Sequence, residues 1–154
     1  MHVSLQLVDY IVVGENAAPS DMATAQNIKQ WCMQLWLTPI ITDDQVTSSM
    51  LTNNQLLLVG GWINNTVSAY VNNNILHYTA QSDGIYDSSG NNLGTCVVQT
   101  VQNFSLVWGL SAADTVTNGN QYVGQNDWEL PLVITGIVTC GVGLVVGTKL
   151  AGWW

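Results

Sequence analysis

Leu7-Val8-Asp9-Tyr10-Ile11-Val12-Val13-Gly14-Glu15-Asn16-Ala17-Ala18-Pro19-Ser20-Asp21 decides the fold of this 154-residue chain. The first seven residues are rich in β-branched and aromatic side chains, the make-up of a buried strand. Gly14 interrupts the run, and Glu15–Pro19 reads as a small-residue turn. Ser20 is the expected N-cap, its hydroxyl accepting from an orphan N–H of the first helical turn. Asp21 stands where the helix macrodipole favours negative charge. From Met22 onward, apolar residues at Ala25, Ile28, Trp31 or Cys32, Leu35 and Trp36 keep helical spacing until Pro39. The stretch is a strand–turn–helix unit, the half-step of an α/β fold.

The unit recurs twice. Gln55–Thr66, QLLLVGGWINNT, is an apolar strand, a Gly60-Gly61 pair and a helix start running through Trp62, Val67, Tyr70 and Val71. Asn103–Val116, NFSLVWGLSAADTV, is a strand, Gly109, then Ser111 with Asp114 three residues on, which is capping-box spacing. These junctions predict strands at about 7–13, 55–60 and 104–109 in one mostly parallel sheet with crossover helices. Between them, residues 75–101 change character. Ile75–Ala80 is strand-like, and Asp87–Asn92 is turn chemistry, so a β-hairpin insertion is expected there.

IVVGENAAPSD (11–21), LLLVGGWIN (56–64) and LVWGLSAADT (106–115), in this order, resemble signature segments of the surface-layer proteins of methanogenic and thermococcal archaea. IYDSSGNNLGTCVVQTVQN (85–103) is similar to the stretch those proteins place before their last such strand. The resemblance spans roughly residues 8–122 in scattered motifs. Members of that family are usually longer, carry a signal peptide and hold more charge, so the chain resembles a compact relative. The resemblance implies an extracellular, structural, self-assembling subunit of an archaeal cell surface.

Composition supports the assembly part of this reading independently. Only 8% of residues are charged while 47% are hydrophobic, with seven Trp. The chain is therefore rich enough in apolar residues to fold. Its polar surface is expected to come from Asn, Gln, Ser and Thr. Such a surface offers little charge repulsion between copies. The two basic residues, Lys29 and Lys149, leave no electrostatic footprint for nucleic acid. A net charge of −8 argues against an anionic membrane surface. MHVSLQLVDY shows no basic n-region followed by an apolar h-region. Cys32, Cys96 and Cys140 match no metal or redox spacing and read as buried thiols, with one disulfide as the alternative.

Chemistry is sparse. Neither G-x-G-x-x-G nor G-x-x-x-x-G-K-[ST] is present, so the junction glycines read as chain-reversal positions. No cofactor is expected. His77 lies in a strand-like run without a motif partner and reads as structural. Asp43-Asp44 reads as a solvated pair. Asp83, Asp87 and Asn91 lack the ligand spacing of an EF-hand, which leaves a hairpin turn. No catalytic or metal residue is assigned, and an enzyme with an unrecognised site is the remote alternative. Two glycosylation sequons occur, at Asn64 and Asn103, with Asn64 placed at an exposed helix start.

The expected organisation is an α/β domain over residues 1–128 and an apolar C-terminal segment over 129–154. Leu130–Thr148 carries no charge over 19 residues. Its length reaches the minimum for a transmembrane helix, so a membrane contact through 130–148, or a tail-anchored binding module, stays open. Its Val, Ile, Thr and Gly content favours buried strand instead. Leu132, Val133, Ile134, Ile137, Val138, Val142, Leu144, Val145 and Val146 are the candidate assembly residues. They are expected to form homo-oligomers by strand pairing with other copies.

Overall fold

The computed structural model describes residues 8–32, 35–126 and 138–139. The elements follow as β1 (Tyr10–Val13), α1 (Pro19–Trp31), β2 (Ile40–Thr42), α2 (Ser48–Asn53), β3 (Leu56–Val59) and α3 (Thr66–Val71). A π-turn at Asn72–Leu76 leads to β4 (Thr79–Gln81) and β5 (Gly84–Tyr86). Then come β6 (Cys96–Val101), β7 (Phe104–Gly109), α4 (Ala112–Asn126) and β8 (Val138–Thr139).

The main sheet has the order β2-β1-β3-β7-β6-β8. β1, β3 and β7 are parallel neighbours, as the three junctions predict, with Ile11 opposite Leu57 and Leu57 opposite Ser105. β2 joins β1 in parallel, so the fold is α/β with a mostly parallel sheet. β6 is antiparallel to both β7 and β8. A two-residue turn at Gln102-Asn103 joins β6 to β7, with Gln102 at φ 52°.

Strand alternation divides the core. Ile11, Val13, Leu57, Val59 and Val107 face α1 and α4, where Ala25, Ile28, Cys32 and Tyr122 meet them. Val12, Leu56, Leu58, Leu106 and Trp108 face the other side, against Val67, Val71, Tyr78 and Ile85. Both sides of the central strands are covered, which is why they read as continuous apolar runs. Trp108 is fully buried, and its indole N–H donates to Ser68 Oγ at 2.9 Å. Ser68 in turn donates to the Gly60 carbonyl at 2.8 Å, so the buried ring leaves no orphan donor.

Several local expectations are corrected. Pro19 takes the first helical position and Ala18 is the N-cap of α1, without a side-chain bond. Pro lacks the N–H that a cap would satisfy and is pre-set for helix, so Ser20 falls inside the first turn. Asn65, not Asn64, caps α3. Gly14 is no chain reversal: a Cβ there would lie 1.7 Å from the Asn64 carbonyl oxygen, so glycine is needed for close approach of two backbones. Gly60, at φ 98°, does reverse the chain. The expected 75–101 insertion is smaller than its sequence span. Only β4 and β5 form the separate hairpin, and β6 belongs to the main sheet. The Asp87–Asn92 turn is held by Asp87 Oδ1, which accepts from the N–H groups of Ser89 and Asn91 at 2.9 Å each.

Cys32 is a buried thiol, whereas Cys96 is disulfide-bonded, against the expectation of thiols throughout. Cys140 lies outside the described residues. Of the C-terminal candidates only Val138 is described. With Thr139 it pairs with Val98 and Val97 of β6 in the same chain. Leu132, Val133, Ile134, Ile137, Val142, Leu144, Val145 and Val146 lie outside the described residues. Among the described residues no helix is long and apolar enough to cross a membrane.

Candidate functional site

The loops at the carboxyl ends of the parallel strands are bound together by two buried polar side chains. Asn65 Oδ1 accepts from the N–H groups of Val67 and Ser68 at 3.0 and 3.1 Å, closing the first turn of α3. Its Nδ2 donates to the carbonyls of Val12 and Val59, both at 3.2 Å, so the same residue bridges the ends of β1 and β3. Asp43 follows β2 and is also buried, which corrects the solvated reading. Its Oδ1 accepts from Glu15 N–H at 2.7 Å and its Oδ2 from Thr66 N–H at 2.8 Å. Burial pushes the Asp43 carboxyl up, but the bonds from Thr66 and Glu15 outweigh it and hold the group below its ordinary value.

Above these ties lies a pocket of ≈ 90 Å³ between the ends of β3 and β7 and the first turns of α1 and α4. Gly61, Trp62 and Ile63 form one wall, and Leu110, Ser111 and Thr115 another. The indole of Trp62 packs edge-on against Trp108 at 5.4 Å between centroids. Asp21 reaches the pocket from α1 and is only 4% exposed. Its Oδ1 has no hydrogen-bond partner. Burial holds the Asp21 carboxyl above its ordinary value. The start of α4 is already capped: Asp114 Oδ2 accepts from Ser111 N–H and Oγ–H at 3.1 and 2.7 Å, as the capping-box spacing predicts.

The amino ends of the strands are different. α1 runs back along the sheet and delivers Trp31 there, 60% exposed, and the turn into β2 presents Trp36 and Leu37, 67% and 74% exposed. Buried Leu35 and Cys32 anchor this turn, the Leu35 N–H donating to the Cys32 carbonyl at 2.8 Å.

The structure separates the residues that the sequence singled out. Asn64 is exposed at the rim of the pocket. Asn103 lies at the opposite end of the sheet, where its Nδ2 donates to the Leu51 and Asn54 carbonyls at 2.8 and 2.7 Å. His77 is not in a strand. It is an exposed left-handed residue, φ 60°, that ends the π-turn, its N–H donating to the Asn72 carbonyl. Among the described residues no group of three His, Cys, Asp or Glu is placed to hold a metal. Sequence reasoning did not find Asp21 as a pocket residue.

No protein-family model matches the chain, and no curated protein matches it significantly in sequence.

Proposed function

We propose that the protein is a non-enzymatic structural subunit that self-assembles outside the cell, in a surface layer or filament of an archaeal cell. The observation that carries this reading is the apolar turn at the amino end of the sheet. Trp31, Trp36 and Leu37 are all more than half exposed within seven residues of chain. Large apolar side chains grouped at a surface mark contacts with a partner. A second copy of the chain is the natural occupant, because with 8% charged residues the exterior raises little repulsion between copies. The C-terminal segment, residues 129–154, is the second contact in this reading. The resemblance of the three junction segments to archaeal surface-layer proteins supplies the location.

Sedimentation and negative-stain microscopy of the full chain test the reading. Wild type is expected to form ordered polymers, and the double variant Trp36→Glu, Leu37→Glu to remain a folded monomer. A monodisperse wild-type monomer at high concentration would sink the proposal. The extracellular location adds a second expectation: native protein carries glycan on Asn64 and none on Asn103, whose amide is committed to two backbone carbonyls. Intact-mass and peptide mapping of native material decide this.

A further inference from the structure

Cys96 is disulfide-bonded, and its partner can be reached along two independent lines. The chain has three cysteines, and Cys32 is a buried thiol in the core between α1 and the sheet. That leaves Cys140. Strand register arrives at the same residue without the count. β6 and β8 are antiparallel, with Val98 opposite Val138 and Val97 opposite Thr139. One step further, β6 reaches Cys96, and the residue that follows Thr139 is Cys140. Opposed residues of an antiparallel pair hold their Cβ atoms about 4.5–5.5 Å apart, closer in non-hydrogen-bonded pairs, which meets the roughly 3.5–4.5 Å that a disulfide takes.

The place of this bond in the sheet gives it a role. β8 is the edge strand beside β6 and is two residues long, where strands usually run to about five or six. Two residue pairs are a weak hold on an edge. Yet the stretch of β6 at this edge, Cys96–Val98, is the buried half of the strand, and Gln99–Val101 beyond it is more open. Stripped of β8, that apolar half would present an unpaired edge, a template for pairing with another chain.

We propose that Cys96 and Cys140 form a redox latch that keeps β8 on β6 and so closes this edge of the sheet. In setting it, the two thiols give up two protons and two electrons to an external disulfide, which leaves as a pair of thiols. A dithiol reverses the exchange, β8 comes away, and Cys96–Val98 becomes an open edge. Such a bond persists in an oxidising compartment, which suits a protein outside the cell. The latch does not rest on the assembly reading, since a monomer would carry it equally.

Two measurements on the full chain test it. Non-reducing chymotryptic mapping after alkylation of the unfolded protein reads the pairing. One linked pair of peptides holding Cys96 and Cys140 is expected, with Cys32 alkylated. A link through Cys32, or three alkylated cysteines after exposure to oxidised glutathione, would overturn the assignment. Amide hydrogen exchange reads the latch. The β8-facing amides of Cys96–Val98 are expected to exchange about tenfold faster or more after reduction with dithiothreitol, because the edge opens locally while the rest of the sheet stays folded. Cys140→Ser is expected to show the fast rate with or without the reductant. Equal rates in oxidised and reduced wild type, or a Cys140→Ser variant that still responds to reductant, would overturn the latch even with the pairing intact.

Discussion

At the carboxyl ends of β1, β3 and β7, polar side chains tie the loops together and enclose a pocket. At the other end of the sheet, in the turn that enters β2, apolar side chains stand in water. Asn65 and Asp43 between them join β1, β3, α3 and the turns after β1 and β2. Trp36 and Leu37 join nothing of comparable weight, being mostly exposed. The difference teaches where stability and the proposed association can be separated in this molecule. In the assembly proposed above, substitutions at the tied end would act on folding, and substitutions at the open end on contacts between copies.

The sharpest way to break that comparison is Asn65→Ala. It removes the cap of α3 and leaves the Val12 and Val59 carbonyls without their donor, for a loss of about 3 kcal/mol. Urea denaturation giving a loss below about 1 kcal/mol would show that the carboxyl end does not depend on this bracket.

Asp43 and Asp21 sharpen the comparison through pH, because they act with opposite sign. The folded-state pKa of Asp43 lies below the ordinary 3.8. Its stabilisation is fully present above the unfolded value and is lost as pH falls through the folded one. Asp43→Asn is therefore expected to cost about 2 kcal/mol at pH 7. The gap to wild type should close in acid. The folded-state pKa of Asp21 is raised above 3.8. Its ionisation opposes folding, a penalty absent below the unfolded value, growing as pH rises to the folded value and constant beyond it. Asp21→Asn should then stabilise the protein by about 1 kcal/mol at neutral pH and not at all in acid. Parallel stability–pH curves for the two variants would refute both assignments.

The smallest expected effect on folding lies at the open end. Trp36→Glu with Leu37→Glu should change unfolding free energy by no more than about 0.5 kcal/mol each while abolishing polymers. A large loss of stability would mean that these side chains belong to the core.

The sheet was readable in the sequence wherever hydrophobic period and punctuation coincide. Leu56–Val59 and Phe104–Gly109 are apolar runs closed by glycine, and both are central parallel strands. The box at Ser111 and Asp114 was legible because its chemistry is local. What escaped was non-local. Asparagine was expected on the surface, yet Asn65 and Asn118 are buried and bond backbone brought together from elsewhere in the chain. No spacing rule distinguishes such an amide from a solvated one. Asp43 escaped for the same reason, since its donors are 28 and 23 residues away. The pocket was equally invisible, because Asp21, Trp62 and Leu110 come from three different junctions.

Asn118 gives the molecule a lifetime. Its Nδ2 donates to the carbonyls of Val97 and Trp108, fastening α4 to both β6 and β7. The next residue is Gly119, which offers no side chain to shield an asparagine amide from attack by the following backbone nitrogen. While α4 is intact, helical geometry holds that nitrogen away. Each local opening of the helix exposes the amide to slow deamidation. The product is a carboxylate pointing at two carbonyl oxygens, a donor turned into an acceptor in a dry site. We expect ageing of the protein to begin there, read as acid formation in the peptide containing Asn118 before any other asparagine. A layer built from such subunits, as proposed above, would then wear out one amide at a time, at a rate set by the breathing of a single helix.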